Sequence, residues 1–331
     1  MTLNSTIAHY KIVAKLGEGA MGVVYKAEDL TLRRTVALKF LSQDLVGFTA
    51  GRTRFLHEAQ AAAMINHPNV CSVYGFEEVG DRVFIVMAFV EGSSLANLLS
   101  SDRVRLRDAL RIAIEIGEGL RAAHAKRVVH RDIKPGNVLI ATDGQVRITD
   151  FGLALLAERT RITKPGTIMG TAAYMSPEQA QTTSVDHRSD IWSLGVVLYE
   201  MIAGVRPFRG KDPRSMLVSV VRDPVPELRS SQEPLPAFLE SVVGKALAKK
   251  PEERYQHTDD LVVDLRALLR ELPAVPESGV KFAAHAGVSG APLAPTQTLV
   301  ASGIGHRAHQ GPLKAAIEFI GGKLRGLSST R

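Results

Sequence analysis

From Tyr10 to Lys39 the pattern of apolar and polar positions is two or three short β-rich runs broken by glycine, Lys11 to Leu16, Val23 to Glu28 and Thr35 to Phe40. Residues Arg52 to Asn66 then carry an alanine-rich face that predicts a helix, which the turn signal His67-Pro68-Asn69 ends. Two more strand-like runs follow, Val70 to Glu77 and Arg82 to Phe89. From Leu106 the apolar period becomes helical, with Leu106, Ala109, Leu110, Ala113, Ile114, Leu120 and Ala123 on one face. Ile191 to Met201 is apolar nearly all round, the pattern of a helix at the centre of a helical lobe. Pro236 to Lys249 and Asp259 to Glu271 predict further helices, so a β-rich first part and a helical remainder give an α+β class.

The chain has 331 residues, 45% hydrophobic and 23% charged, enough for one large two-lobed domain or two ordinary ones. Its only cysteine, Cys71, excludes an intrachain disulfide and a multi-cysteine zinc site, which makes a reducing, cytoplasmic compartment the expectation. Met1 to Ile12 lacks the apolar run of a signal peptide, and no stretch is long and apolar enough to predict a membrane span. The net charge of +7 divides into +4 over residues 273–331 and +3 over residues 1–272. With no basic stripe interleaved with aromatics, nucleic-acid binding is not expected.

The candidate chemistry lies in His130-Arg131-Asp132-Ile133-Lys134-Pro135-Gly136-Asn137, followed by Asp150-Phe151-Gly152. Two acids, a lysine and an amide at these spacings suit a site for nucleotide phosphates and a hard divalent cation. Gly17, Gly19 and Gly22 form a G-x-G-x-x-G pattern, which by itself also marks dinucleotide-binding folds and ordinary turns. Here Gly22 runs into Val23-Val24-Tyr25, a returning strand rather than a helix, which points to a hairpin whose glycines let backbone N–H groups approach phosphate. Lys39 stands in the next strand, inside Val36-Ala37-Leu38-Lys39, and an ammonium among apolar neighbours needs an acidic partner. Glu58, the only carboxylate of the segment Arg52 to Asn66, is the expected one. Asp190, at the start of the apolar helical run, reads as a helix N-cap.

Taken together these motifs resemble those of the serine/threonine protein kinases of the bacterial, eukaryotic-like type, over about Tyr10 to Leu272. The resemblance implies a bilobal fold, with a small, mainly antiparallel-β N-lobe carrying one key helix (about 10–89), a hinge (about 88–92) and a larger, mainly α C-lobe (about 93–272). It implies an ATP-dependent enzyme that phosphorylates protein serine and threonine. Lys39 would hold the α- and β-phosphates with Glu58 fixing it, Asp132 would orient the attacking hydroxyl, and Lys134 would neutralise the phosphoryl group in flight. Asn137 and Asp150 would bind magnesium, with manganese as the alternative. Leu16, Gly17, Glu18, Gly19, Ala20, Met21, Gly22, Val24, Ala37, Met87, Ala88, Val90 and Leu139 would surround the nucleotide, with Met87 controlling the back of the adenine pocket. Most relatives carry an acid at the position of Ala88, where adenine meets backbone groups. By the same resemblance Asp190 also anchors the catalytic-loop backbone and Glu178 pairs with Arg254.

Two other functional classes share parts of this pattern. A pseudokinase, a binding scaffold without turnover, would lack Lys39, Asp132, Asn137 or Asp150, and all four are present. A small-molecule phosphotransferase shares the acid-and-asparagine loop, but lacks Lys134 and the segment ending Gly170-Thr171-Ala172-Ala173-Tyr174-Met175-Ser176-Pro177-Glu178, a platform for polypeptide substrates. Arg131 and Arg54 could converge on a phosphate at Thr167 or Thr163, with Thr160 a weaker site, so autophosphorylation within a transient homodimer is expected. Residues 273–311 read as a flexible linker. In residues 312–331, Leu313, Ile317, Ile320, Leu324 and Leu327 fall at helical spacing beside Lys314, Lys323 and Arg325, the pattern of a short amphipathic basic tail. Gly321, Gly322 and Gly326 oppose a stable helix there and favour a weakly docked or disordered end.

Overall fold

The computed structural model describes residues 2–19, 22–42, 56, 59–151, 171–230 and 234–273. Ala20, Met21, Arg54, Glu58, Gly152, Thr160, Thr163, Thr167 and Gly170 lie outside these residues, as do residues 274–331 and with them most of the expected linker and all of the expected tail.

The N-terminal part is a six-stranded antiparallel sheet of spatial order β1-β2-β3-β4-β6-β5. Its strands are β1 (Thr6–Ile7), β2 (Tyr10–Gly19), β3 (Gly22–Asp29), β4 (Arg34–Leu41), β5 (Val73–Val79) and β6 (Arg82–Ala88). The strand patterns follow from alternation: one face buries Ile12, Tyr25, Ala27, Val36, Leu38 and Phe84 in a core of its own. The other face gathers Ala37, Leu41, Ile85, Met87 and Ala88 against Ala59 and Cys71, with Val24 and Val90 packed at its margin. Residues 59–63 are helical, the described portion of the helix expected over Arg52 to Asn66.

The expected strand Val70 to Glu77 starts three residues later than its apolar pattern. Val70 instead bridges Ile148 in parallel, and the Cys71 N–H donates to the Ile148 carbonyl at 2.8 Å. This segment therefore joins the sheet to a second, three-stranded sheet, made of β7 (Gly92–Ser94), β8 (Val138–Ala141) and β9 (Val146–Ile148). Asn69 reinforces the junction through its side chain, which donates to the Val146 carbonyl at 2.8 Å and to Glu115 at 3.1 Å.

The remainder is helical: α1 (Leu95–Ser101), α2 (Leu106–Ala125), α3 (Pro177–Ala180), α4 (Arg188–Ala203), α5 (Pro213–Arg222), α6 (Ala237–Ala246) and α7 (Thr258–Glu271). Every residue of the face expected for α2 is buried. Helix α4 buries thirteen of its sixteen residues, as its all-round apolar pattern requires. Helices α2 and α7 approach closely at Gly117, where a Cβ would lie 2.5 Å from Val262 Cγ2. Among the described residues no helix is long and apolar enough to cross a membrane. The fold is mixed α+β, a curled antiparallel sheet followed by a helical lobe.

Candidate active site

The catalytic-looking loop crosses the C-terminal lobe between α2 and β8, and its backbone is held by one buried carboxylate. Asp190, fully enclosed in the first turn of α4, accepts from the His130 N–H at 2.9 Å and from the Arg131 N–H at 2.7 Å. Its third partner is His124 of α2, whose Nε2 lies 2.8 Å from Oδ2. Burial alone would raise the Asp190 carboxyl, yet the His124 hydrogen bond and charge and the loop N–H groups hold it below the ordinary carboxylate value. The N-cap reading of Asp190 is corrected here: the cap position is His187, without a side-chain bond, and the carboxylate of Asp190 turns to the loop instead.

Arg131 adopts φ = +65°, a left-handed conformation that is unfavourable for a side chain with a Cβ. Asp150 does the same at φ = +66°. Such residues persist where surrounding bonds over-determine the backbone, and they cluster at functional sites. For Asp150 those bonds come from the same loop. The neighbouring Thr149 donates its N–H to the Asn137 carbonyl at 2.9 Å, and its own carbonyl accepts from His130 Nε2 at 2.9 Å. Since His130 Nδ1 accepts the Asp132 N–H at 3.2 Å, the His130 proton sits on Nε2 and the ring clamps both loops. His130 also packs on Phe151, ring centroids 4.6 Å apart.

These constraints bring five sequence-predicted residues together. Lys134 Nζ lies 2.7 Å from Asp132 Oδ2 and 3.4 Å from Thr171 Oγ1, so it touches both the acid and the segment ending at Glu178, called the activation segment below. The Asn137 amide nitrogen donates to the Asp132 carbonyl at 2.8 Å and to Oδ2 at 3.1 Å. Across the cleft, Lys39 of β4 is 5% exposed and pairs with Asp150 at 2.7 Å. Burial would raise the Asp150 carboxyl, but the Lys39 ammonium beside it brings it below the ordinary value. Glu58, the expected partner of Lys39, is outside the described residues; the partner that the structure describes is Asp150.

A recess behind Lys39 is lined by Cys71, Ile85, Met87, Thr149, Asp150 and Phe151. Met87 stands at its wall, paired with Ala37 on the neighbouring strand. Val24, Ala37, Met87, Ala88 and Val90 belong to one apolar cluster, whereas Leu16 is 47% exposed and Leu139, half-buried, sits in β8 on the other side of the cleft. Ala88 is buried, and its N–H is used by the Ser72 carbonyl at 2.9 Å. Its carbonyl accepts from Cys71 Sγ at 3.4 Å, and a carbonyl oxygen has two lone pairs. Burial pushes the Cys71 thiol up to about 11, so it serves as a small apolar wall and not as a nucleophile.

At the glycine-rich end of the β2–β3 hairpin, Gly17 pairs with Val24 and Gly19 with Gly22, and Glu18 pairs with Val23. Gly22 has φ = +142°, and a Cβ there would fall 1.8 Å from the Phe40 carbonyl oxygen. Glycine is therefore demanded here by strand packing.

Below the site, Glu178 and Arg254 form the expected pair, with both guanidinium nitrogens NH1 and NH2 2.7 Å from the carboxylate oxygens. Burial would raise Glu178, and Arg254 outweighs it to hold the carboxyl low. His124, Thr149 and Gln179, which donates from Nε2 to the Arg131 carbonyl at 2.8 Å, are site-supporting residues that the motifs did not reveal. Each is a single polar residue whose partner is remote in sequence, and only its place beside an accepted motif could have flagged it.

Residues 10–262 match the protein kinase domain model. The chain is 40% identical over 263 residues to the serine/threonine-protein kinase PknB of Mycobacterium leprae, covering 77% of this chain and 42% of that protein. It is 36% identical over 258 residues to the serine/threonine-protein kinase PrkC of Bacillus subtilis, covering 78% of this chain and 40% of that protein. The chain spans about two fifths of the length of these curated relatives. Among solved structures, the kinase domain of Mycobacterium tuberculosis PknI is similar with a TM-score of 0.65 at 25% identity, covering 81% of this chain and 98% of that one. Family match, fold and loop geometry agree, and the chain belongs to the protein kinase domain family.

Proposed function

We propose that this chain transfers the γ-phosphoryl group of ATP to serine and threonine hydroxyls of proteins. The observation that carries the reading is the convergence of Asp132, Lys134 and Asn137 by direct hydrogen bonds, facing the Lys39–Asp150 pair across one cleft. Phosphoryl transfer needs positioning and charge stabilisation more than covalent help, and this set supplies both.

In that reaction Asp132 accepts the hydrogen bond of the attacking hydroxyl and orients its lone pair toward phosphorus. Lys134, already on Asp132 and beside Thr171, carries positive charge to the transferring group. Lys39 exchanges its Asp150 contact for the α- and β-phosphates. The donor set fits a hard cation: the Asn137 amide nitrogen is committed to Asp132, which leaves its oxygen as a ligand beside the Asp150 carboxylate. Magnesium, or manganese in its place, would be held by Asn137 and Asp150 and would neutralise phosphate charge.

We take residues 10–272 as the catalytic unit, with proteins as substrates, and we place it in the cytoplasm, a reducing compartment that suits the buried thiol of Cys71. Thr163 and Thr167 are our phosphorylation sites, modified within a transient pair of copies. Arg131 supports this: its Nε is buried and meets no hydrogen-bond partner among the described residues.

Purified protein given labelled ATP, magnesium and a pool of candidate proteins tests the reading, with the modified residues mapped by mass spectrometry. Phosphoserine and phosphothreonine are expected; phosphotyrosine as the main product, or no transfer at all, overturns it. Phosphate on Thr163 or Thr167 and lower activity of the Thr163→Ala/Thr167→Ala variant are expected from the switch. Full activity with neither residue modified removes it.

A further inference from the structure

We propose that Gln179 is a positioning residue for the catalytic loop, linking the end of the activation segment to the peptide that carries Asp132. The inference rests on the reading of Asp132 as the group that orients the attacking hydroxyl.

The two ends of the Gln179 side chain do different things. Its oxygen accepts from the Ser176 N–H at 3.0 Å, completing a reciprocal cap in which Ser176 Oγ accepts the Gln179 N–H at 3.3 Å. Its nitrogen crosses to the other loop and donates to the Arg131 carbonyl at 2.8 Å. A cap alone needs only the oxygen, and glutamate serves as well as glutamine at this position of a capping box. The amide nitrogen is therefore the part of the residue that the helix does not explain.

The Arg131 carbonyl belongs to the peptide bond leading into Asp132. The N–H of that same peptide donates to His130 Nδ1 at 3.2 Å, and the preceding N–H, that of Arg131, is held by Asp190 at 2.7 Å. Arg131 itself is left-handed at φ = +65°. A single residue in that region relaxes unless its neighbouring peptides are fixed. Asp190 fixes the plane before Arg131, while His130 and Gln179 fix the plane after it from opposite edges. Gln179 is the one of the three that lies on the segment bearing the substrate platform, two residues beyond Pro177 and beside the buried Glu178. Order in the platform is thereby conveyed to the orientation of Asp132 by one hydrogen bond.

Three substitutions separate the two ends of the side chain. Gln179→Glu keeps the acceptor and loses the donor, Gln179→Lys keeps a donor and loses the acceptor, and Gln179→Met loses both without adding charge. Three readouts are taken: kcat and KM for ATP, thermal unfolding, and amide exchange of residues 128–134. For Gln179→Glu we expect near-wild-type thermal stability and KM, kcat lower by about tenfold, and loop exchange faster by about tenfold, the scale of one lost hydrogen bond. Gln179→Met should lose kcat similarly and melt earlier, and Gln179→Lys should recover most of kcat and loop protection while melting earlier. Wild-type kcat and loop exchange in Gln179→Glu overturn the proposal. So does wild-type kcat in Gln179→Met, which would assign the Gln179→Glu defect to its added charge, and so does Gln179→Lys behaving as Gln179→Met. Loop exchange is read without turnover, so an inactive wild type counts against the kinase reading while the exchange still decides the tie.

Discussion

Lys39 Nζ lies 2.7 Å from Asp150 Oδ1, with the lysine side chain 6% exposed and the aspartate 25%. Removing the lysine leaves a largely enclosed carboxylate without its cation, which is the costly way to break such a pair. Lys39→Met should abolish phosphoryl transfer and lower stability by about 2–3 kcal/mol, below the full cost of a completely buried pair because Asp150 keeps some solvent. Adding Asp150→Asn should restore most of that stability and none of the activity, measured by urea denaturation and ATP turnover across the four-variant cycle. A double variant as unstable as Lys39→Met would show that the pair is not what supports the cleft.

The same pair sets a pH dependence. Asp150 has its carboxyl below the ordinary value of 3.8 in the folded chain, so the folded state binds fewer protons than the unfolded state in that range. Its contribution is complete above about pH 5, where the unfolded carboxyl is also ionised, and is lost as pH falls through the unfolded and then the folded value. Glu178 and Asp190 are lowered likewise and add to the same acid limb. Asp150→Asn should flatten that limb between about pH 5 and pH 3 while changing little in slope near pH 7. Equal slopes for wild type and variant below pH 5 would contradict the Lys39 contact as the cause.

Much of this architecture was legible because its elements are long enough to show a period. Strands β2 to β4 run eight to ten residues, alternating at the start of β2 and along the second half of β3 and buried on both faces in β4, and α2 repeats its apolar face through five turns of buried positions. The small sheet escaped because β7 and β9 have three residues and β8 four, too short for any periodicity to register. Helix α5 was missed although Asp212-Pro213-Arg214-Ser215 carries its start signal, a capping box with proline in the first turn. The site motifs were readable as a set of residues, but their contacts depend on chain segments far apart. Lys39 meeting Asp150, and Asp190 turning from helix start to loop anchor, are decided by packing across 111 and 59 positions of sequence respectively.

Arg254 is buried with its guanidinium fully engaged: the two bonds to Glu178, Nε to the Ala248 carbonyl at 2.7 Å, NH2 to the Lys249 carbonyl at 3.0 Å, and Trp192 5.0 Å from Cζ. Lysine can replace the charge but not the fork. Arg254→Lys should therefore destabilise by about 1–3 kcal/mol, and Glu178→Ala by about 3–5 kcal/mol because it strands a buried cation. Urea midpoints at constant slope are the measurement; a Glu178→Ala variant within about 1 kcal/mol of wild type would show that the pair is not structurally required.

Two glycines of the nucleotide turn should differ in what alanine does to them. At Gly22 the backbone is left-handed and a Cβ would collide with the Phe40 carbonyl, next to Lys39, whereas at Gly19 nothing lies within 4 Å of the added atom. Gly22→Ala should lower stability by about 2 kcal/mol or more and raise KM for ATP, since Lys39 is displaced with its strand. Gly19→Ala should leave the melting temperature nearly unchanged. Equal melting temperatures for the two variants would show that the strand absorbs the clash without cost.

Asp132 supplies the test that separates binding from chemistry. Its carboxylate is 6% exposed and engaged by Lys134 and by Asn137, groups of the helical lobe, while the apolar cluster proposed to receive adenine lies against the sheet. Asp132→Asn replaces the charged acceptor proposed for the substrate hydroxyl by a neutral, less basic amide and leaves Lys134 without this counter-charge, with the apolar cluster on the sheet untouched. Interactions used mainly in the transition state appear in kcat and not in substrate affinity. We expect kcat to fall by about 10²- to 10⁴-fold, with ATP affinity by calorimetry within a few-fold of wild type. Lys134→Met should lower kcat as well, and the double variant should lose less than the product of the two single losses because both residues act on the same transferring group. If Asp132→Asn instead lost its ATP affinity and kept its turnover, Asp132 would be part of nucleotide binding and the assignment of the reacting hydroxyl to it would fall.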